Sequence, residues 1–205
     1  MLFVLVGASH HSRFIKNMYN QNTKLTLTNA RELMVQKSYP EALQICNVML
    51  TIPGAHADVH TLKALIHQQS GNIEDAGHSM EMALEENPDH PGMLYTAALI
   101  NKKLENYDLA KKQVMKSARE APDNPQIICQ CALLLGSLRE PQKALESLEK
   151  FTQKNKNHAQ AWYLIGKFQA DLHNNDAATY AINKCLTLQP DHSKARNLLP
   201  KTLSD

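Results

Sequence analysis

Residues 159–192 read AQAWYLIGKFQADLHNNDAATYAINKCLTLQPDH, and two small residues within this stretch decide the fold. Gly166 and Ala178 each belong to a column of small residues that recurs every 34 residues toward the N-terminus. A single helix needs no such period, whereas an array of stacked two-helix units does, because the two helices of each unit touch at small residues. The two columns are Ala42, Ala76, Ala110, Ala144 and Ala178, and Ala30, Ala64, Ala98, Ala132 and Gly166.

The period divides most of the chain into five tandem units without insertions. Each unit contains two helical patterns of apolar residues, with turn or N-cap residues between them and again at its end. We therefore expect an N-terminal leader at 1–22 and a short C-terminal capping helix with a tail at 193–205, in which Pro200 stops the helix. The five 34-residue units are 23–56, 57–90, 91–124, 125–158 and 159–192.

The last unit resembles the tetratricopeptide repeat (TPR) family most closely. Trp162, Ile165 and Gly166 stand at the W-x-x-L-G positions of that family, and Ala178 and Pro190 stand at its later A and P positions. The resemblance implies an all-α protein, a right-handed superhelical solenoid of about five helix-turn-helix repeats. The first unit matches least well, because Thr26 and Asn29 replace apolar residues there.

Composition agrees with a helical protein of balanced charge. Aromatic residues make up 5% of the chain and there are 7 glycines, which disfavours a sheet-rich fold. The net charge of +2 provides no general attraction to nucleic acid or to anionic membranes. The apolar run of residues 1–7 is shorter than the roughly 20 residues of a membrane span, and it lacks a basic region in front. We therefore expect a cytoplasmic location rather than secretion or the periplasm, and no membrane span.

Candidate chemical sites are weak throughout the sequence. The histidines that end four units recur at a fixed turn position, so successive ones lie too far apart to share a metal ion. Cys129 and Cys131 point about 200° apart on a helix, which prevents chelation by that pair. No nucleophile elbow, P-loop or H-E-x-x-H motif is present. We predict no enzyme activity, no cofactor and no metal, and we expect the four cysteines to remain free thiols.

The resemblance implies instead a protein that binds other proteins. In TPR proteins the first helix of each unit lines a concave groove, in which a peptide segment or partner protein docks. Residues spaced i, i+4 and i+7 along the first helices form the corresponding stripe here. The predicted partner-binding groove consists of Leu27, Arg31, Thr61, Leu65, Tyr95, Leu99, Lys102, Cys129, Leu133, Tyr163 and Lys167.

Three alternatives remain open at this stage. A basic stripe on the second helix of the third unit, with Lys112, Lys116 and Arg119, is compatible with nucleic acid or another polyanion, although the aromatic platforms of single-strand binders are absent there. The array is also compatible with the N-terminal recognition part of a fused enzyme such as a TPR sulfotransferase. Finally, the thin C-terminal cap permits self-association through the ends of the array.

Overall fold

The computed structural model describes residues 26–54 and 56–202, and within these residues it contains helices and no strand. The predicted leader at 1–22 lies outside the described residues. Within the described part, no helix combines the length and hydropathy that crossing a bilayer requires. The helices are α1 (Leu27–Val35), α2 (Tyr39–Met49), α3 (Ala57–Ser70), α4 (Ile73–Glu86), α5 (Pro91–Lys103), α6 (Tyr107–Glu120), α7 (Pro125–Ser137), α8 (Pro141–Lys154), α9 (Ala159–Asp171), α10 (Asn175–Leu188) and α11 (Ser193–Thr202).

The first ten helices form five pairs, one in each 34-residue segment, so the all-α repeat fold is confirmed. Consecutive helices of a pair pack tightly, for example α9 with α10. The reason is visible at the two columns of small residues, all ten of which are buried. At Gly166 a Cβ atom would lie 2.6 Å from Cδ1 of Ile182, so the helices have approached as closely as their side chains permit.

The turn within each pair contains one residue with left-handed backbone conformation, again every 34 residues. Gly71 has a φ of 90°, a conformation that glycine adopts without steric cost. The other four pairs use side-chain-bearing residues with φ of 61–62° at the same position, which each cost roughly 1–2 kcal/mol. These four residues are Lys37, Glu105, Arg139 and His173.

The helices begin at turn residues that satisfy free backbone N–H groups. The Asn124 side chain accepts hydrogen bonds from the N–H groups of Gln126 and Ile127 at the start of α7. At α5, α9 and α11 a histidine has the same role through Nδ1, which accepts from the N–H group three residues further on. These histidines are His90, His158 and His192, so three of the unit-ending histidines are helix caps.

The described residues form two compact units, which divide between Glu86 and Asn87 and are described separately. In the described part of the first unit, Ile45, Leu62 and Ile66 form the centre of the core. In the second unit one core runs from Ala98 on α5 to Ala181 on α10.

The helix that ends the described chain is longer than expected. We expected Pro200 to stop it, but α11 continues to Thr202, so that expectation was wrong. Pro200 lies in the last turn, where its missing N–H group removes only one helical hydrogen bond. Ala195, Leu198 and Leu199 pack against Ile182 and Cys185 of α10, so α11 covers the end of the second unit's core.

Candidate partner-binding surface

The predicted groove residues fall on first helices in both compact units. In the first unit, Leu27 and Arg31 lie on α1, and Thr61 and Leu65 lie on α3, which contacts α1. Arg31 is exposed, whereas the other three are partly buried. The hydroxyl of Thr61 donates a hydrogen bond to the Ala57 carbonyl, so its hydrogen is used within the helix.

In the second unit the remaining predicted residues lie on α5, α7 and α9, which are in contact in that order. We call this surface the inner face. Leu133 on α7 is its most exposed large apolar side chain, with 47% of its surface accessible. Cys129 is only 8% exposed, so its thiol belongs to the core and contributes little to the inner face.

Tyr95 and Leu99 on α5, and Tyr163 on α9, are partly buried against the core. Packing against the core therefore leaves Tyr95 and Leu99 only partly exposed on the inner face. Neighbouring first helices touch directly, so the edges of each inward stripe are covered by the next helix. Burial also raises the pKa of the Tyr95 hydroxyl, which remains protonated at neutral pH.

A cavity of about 470 Å³ lies between α7 and α9 and brings Leu133 and Lys167 together. Gly136 and Phe168 shape it, because a Cβ atom on Gly136 would lie 2.4 Å from Cε1 of the Phe168 ring. Phe168 was not among the predicted groove residues. A signal for an apolar residue was present, since the three preceding units have Leu134, Ile100 and Ile66 at the same register position.

Two lysines provide the positive charge of the inner face. Nζ of Lys102 donates a hydrogen bond of 2.9 Å to the hydroxyl of Ser137, a neutral partner. Nζ of Lys167 lies 2.7 Å from the carboxylate of Asp171 and 4.9 Å from the centre of the Phe168 ring. Lys102 is therefore the cation that is better placed to meet a carboxylate of a bound partner.

Tyr163 lies at the C-terminal end of the inner face. Its ring centre is 4.8 Å from that of His192, the residue that caps α11. Tyr163 therefore packs against the C-terminal cap, and the inner face narrows to α5, α7 and the part of α9 near Lys167.

The basic stripe of the third unit is partly neutralised. Lys116 forms an ion pair of 2.7 Å with Asp89 and also donates to the Pro88 carbonyl. Lys111 pairs with Glu140 at 2.8 Å, and this hydrogen bond raises the pKa of the lysine and lowers the pKa of the carboxyl. The pair of Lys116 reduces the charge that the stripe can offer to a polyanion, and the neighbouring Lys111, outside the stripe, is also neutralised.

The cysteines are all buried free thiols. Burial raises the pKa values of Cys46, Cys129 and Cys131 to about 11, so these thiols are protonated and unreactive at neutral pH. Among the described residues, no three histidine, cysteine, aspartate or glutamate side chains are grouped closely enough to hold a metal ion.

Comparison with known proteins provides one family match. The sequence model of the family described as "Tetratricopeptide repeat" matches residues 61–125 and 132–193, which is more than half of the chain. No curated protein sequence matches significantly.

Many solved structures have a similar backbone, among them the following three. The structure of YrrB, described as "a TPR protein with an unusual peptide-binding site", is 20% identical, with a TM-score of 0.65 over 92% of this chain and 97% of YrrB. MamA is 15% identical, with a TM-score of 0.64 over 80% of this chain and 96% of MamA. The C-terminal part of a TPR repeat-containing protein from Cytophaga hutchinsonii is 14% identical, with a TM-score of 0.68 over 86% of this chain and 70% of that one. At these identities the likeness shows the fold alone.

Proposed function

The chain belongs to the tetratricopeptide repeat family, and on this premise we propose that it is an interaction protein that holds an extended segment of a partner protein. The segment lies on the inner face, across α5, α7 and α9. The observation that supports this proposal is the exposed Leu133 beside the cavity between α7 and α9, since a large apolar side chain left in water at such a cavity is typical of a binding surface.

The residues of the inner face define the chemistry of the segment. An aliphatic side chain of the partner fits the cavity next to Leu133 and Phe168. Lys102 is hydrogen-bonded to Ser137 in the lining of that cavity, so its ammonium group is placed to meet a carboxylate of the same segment. Burying a leucine side chain fully contributes roughly 1.5–3 kcal/mol, so this single contact accounts for a substantial part of a micromolar affinity.

A selection experiment identifies the preferred segment and tests its location. Random 12-residue peptides are displayed and selected on the intact protein, and the affinity of the recovered peptides is measured by fluorescence anisotropy. The variant is Leu133→Ser on α7. Its matched control is Leu109→Ser on α6, because these two leucines are 47% and 44% exposed and neither change opens the core.

We expect Leu133→Ser to weaken the selected peptides about tenfold or more, which corresponds to about 1.4 kcal/mol. Leu109→Ser should change the affinity less than twofold. Peptides that bind both variants equally well, or that are lost only from Leu109→Ser, would place the binding site outside the inner face and refute the proposal.

The alternatives from the sequence have less support. Binding of a polyanion through the basic stripe predicts an affinity that falls steeply with salt. The ion pair of Lys116 leaves that stripe weaker than its sequence suggested, and the neighbouring Lys111 is paired as well. The hypothesis of a fused enzyme stays a prediction, which the sequence encoded on either side of this segment would decide.

A further inference from the structure

A second surface of the unit of residues 87–202 lies on the other side of α9. It contains a cavity of about 850 Å³, which we call the outer cavity. Trp162, Ile165 and Gln169 of α9 line the outer cavity, whereas Lys167 and Asp171 line the cavity of the inner face. At about 100° per residue these two sets point to nearly opposite sides of the helix. The outer cavity is therefore separate from the surface to which the proposed function refers.

The outer cavity arises from the way in which the helix pairs stack. The first helices α7 and α9 touch directly, whereas the second helices α8 and α10 approach each other at few points, and a gap remains between them. A smaller cavity of about 480 Å³ occurs one repeat earlier, between α6 and α8. It has Ile128 where the outer cavity has Trp162, and Glu146 where the outer cavity has Tyr180. The gap thus follows from the repeat, but the aromatic lining is specific to the last unit.

Two aromatic side chains form an ordered apolar wall in the outer cavity. Nε1 of Trp162 donates a hydrogen bond of 2.7 Å to the Lys156 carbonyl, which holds the indole in one orientation. The rings of Trp162 and Tyr180 meet edge to face, with their centres 6.2 Å apart. Tyr180 is nevertheless 58% exposed, so a large part of this wall faces water. An exposed aromatic side chain beside a fixed one is typical of the residues that dominate binding energy.

The charges around the two cavities favour an acidic partner. The outer cavity is lined by two cations and one acid, and the adjoining smaller cavity by four cations and two acids. Lys154 is paired with Asp123 and Lys143 with Glu140. By contrast, Lys150, Lys156 and Lys184 form no ion pair within the described part of the chain. The six cations are Arg119, Lys143, Lys150, Lys154, Lys156 and Lys184, and the three acids are Asp123, Glu146 and Glu149.

We propose that the outer cavity binds an acidic amphipathic helix of a partner protein. Its apolar side chains pack against Trp162 and Tyr180, and its carboxylates lie near Lys156 and Lys184. A cavity of about 150 Å³ accepts a benzene ring, so 850 Å³ accommodates several side chains. The flanking helices α8 and α10 each have 14 residues, about 21 Å, which suits a segment of similar length.

The chain carries its own reporter for this test, because Trp162 is its single tryptophan. The probe is a synthetic 14-residue helical peptide without tryptophan, with leucines along one face and glutamates elsewhere. We titrate it into the full chain and record the emission of Trp162. A second peptide has lysine in place of every glutamate, and a 14-nucleotide single-stranded DNA serves as the polyanion.

We expect the acidic peptide to change the emission of Trp162, and the lysine peptide to bind at least about tenfold more weakly. Lys184→Glu should weaken binding of the acidic peptide about tenfold or more, whereas Lys112→Glu, on the exposed surface of α6 outside both cavities, should change it less than twofold. Tyr180→Ser should also weaken it, with unchanged far-UV circular dichroism. Leu133→Ser should have no effect, which separates this test from that of the proposed function.

Three results would overturn the proposal. One is an unchanged emission of Trp162 when the acidic peptide is added at concentrations up to about 1 mM, because a dissociation constant above that concentration corresponds to very weak binding. Another is an equal response to the lysine peptide, or an equal loss in the Lys184→Glu and Lys112→Glu variants. The third is tighter binding of the DNA than of the acidic peptide, which would assign the outer cavity to single-stranded nucleic acid.

Discussion

Replacing Gly166 by alanine tests how closely α9 and α10 are packed. In the four earlier units the same column contains alanine, so the sequence alone presents this change as harmless. In the structure a Cβ atom on Gly166 would lie 2.6 Å from Cδ1 and 2.7 Å from Cγ1 of Ile182, and 3.2 Å from the carbonyl oxygen of Ala178. Ile182 is fully buried, so its neighbours hinder the rotation about Cα–Cβ that would move Cγ1 away.

Two opposing effects determine the size of the change. Alanine is favoured over glycine within a helix by about 0.8–1.0 kcal/mol. Overpacking a buried contact costs about 1–3 kcal/mol. Since the contact involves two side-chain atoms and a backbone oxygen, we expect the steric cost to prevail. The upper part of the overpacking range, about 2–3 kcal/mol, minus the helix-propensity gain of about 1 kcal/mol leaves a net loss, so Gly166→Ala should lower the free energy of unfolding by about 1–2 kcal/mol.

The assay is urea unfolding followed by far-UV circular dichroism, carried out in two backgrounds. In wild-type protein Gly166→Ala should lower the unfolding midpoint. In the Ile182→Ala background the two clashing side-chain atoms are absent and only the Ala178 carbonyl oxygen remains close, so the same change should lower the midpoint less or raise it through helix propensity. An unchanged or raised midpoint in the wild-type background, or the same loss in both backgrounds, would refute the reasoning from this contact.

Three further predictions concern stability. Ala110→Leu should cost about 1–3 kcal/mol by forcing α5 and α6 apart, and an unchanged melting curve would show that the repeat register is wrong. Burial lowers the pKa values of His60 and His67 from 6.5, so the compact unit that ends at Glu86 favours the neutral forms of both side chains when it is folded. The stability of this compact unit should be complete above pH 6.5 and should decline as the pH falls toward the lowered pKa values. In urea unfolding, the His67→Gln variant should lose less stability between pH 7.5 and 5 than the wild-type protein, and an equal loss would contradict this prediction. Gly71→Ala should lower the free energy of unfolding by about 1–2 kcal/mol in thermal melting, because Gly71 has a φ of 90°. Glu105→Gly, at a φ of 62°, should not lower it, and a destabilised Glu105→Gly variant would exclude backbone strain at that position.

Much of the fold could be predicted from the sequence because its determining contacts are local. The two helices of a pair are separated by a short turn, so the residues at their contact occur at a constant spacing. Ala98 and Ala110 illustrate this, since both are fully buried where α5 meets α6, as the period indicated. The same contact between helices occurs in every 34-residue unit, so the small residues at the contact form a period that can be recognised in the sequence without a structure.

The binding surfaces were less predictable, because the exposure of a side chain depends on distances between neighbouring pairs. The helical stripe placed Tyr95, Leu99 and Leu133 together on the inner face, but only the structure showed that the first two are half covered while Leu133 faces water. Cys129 was assigned to the same stripe and is buried. Helical periodicity gives the direction of a side chain and contains no information on how near the next helix lies.

The sequence by itself determined the helix pairs, their small contact residues and the turns between them, since each depends on residues near one another in the chain. Only the tertiary structure decided where the second helices separate, and hence that an outer cavity exists beside Trp162 and Tyr180. It also decided which lysines are neutralised, because Asp89 and Lys116 meet only after two segments fold together. The outer cavity and the ion pairs depend on the angle and distance at which whole helix pairs stack. Many side chains together determine this angle and distance, so no single spacing of residues in the sequence predicts them.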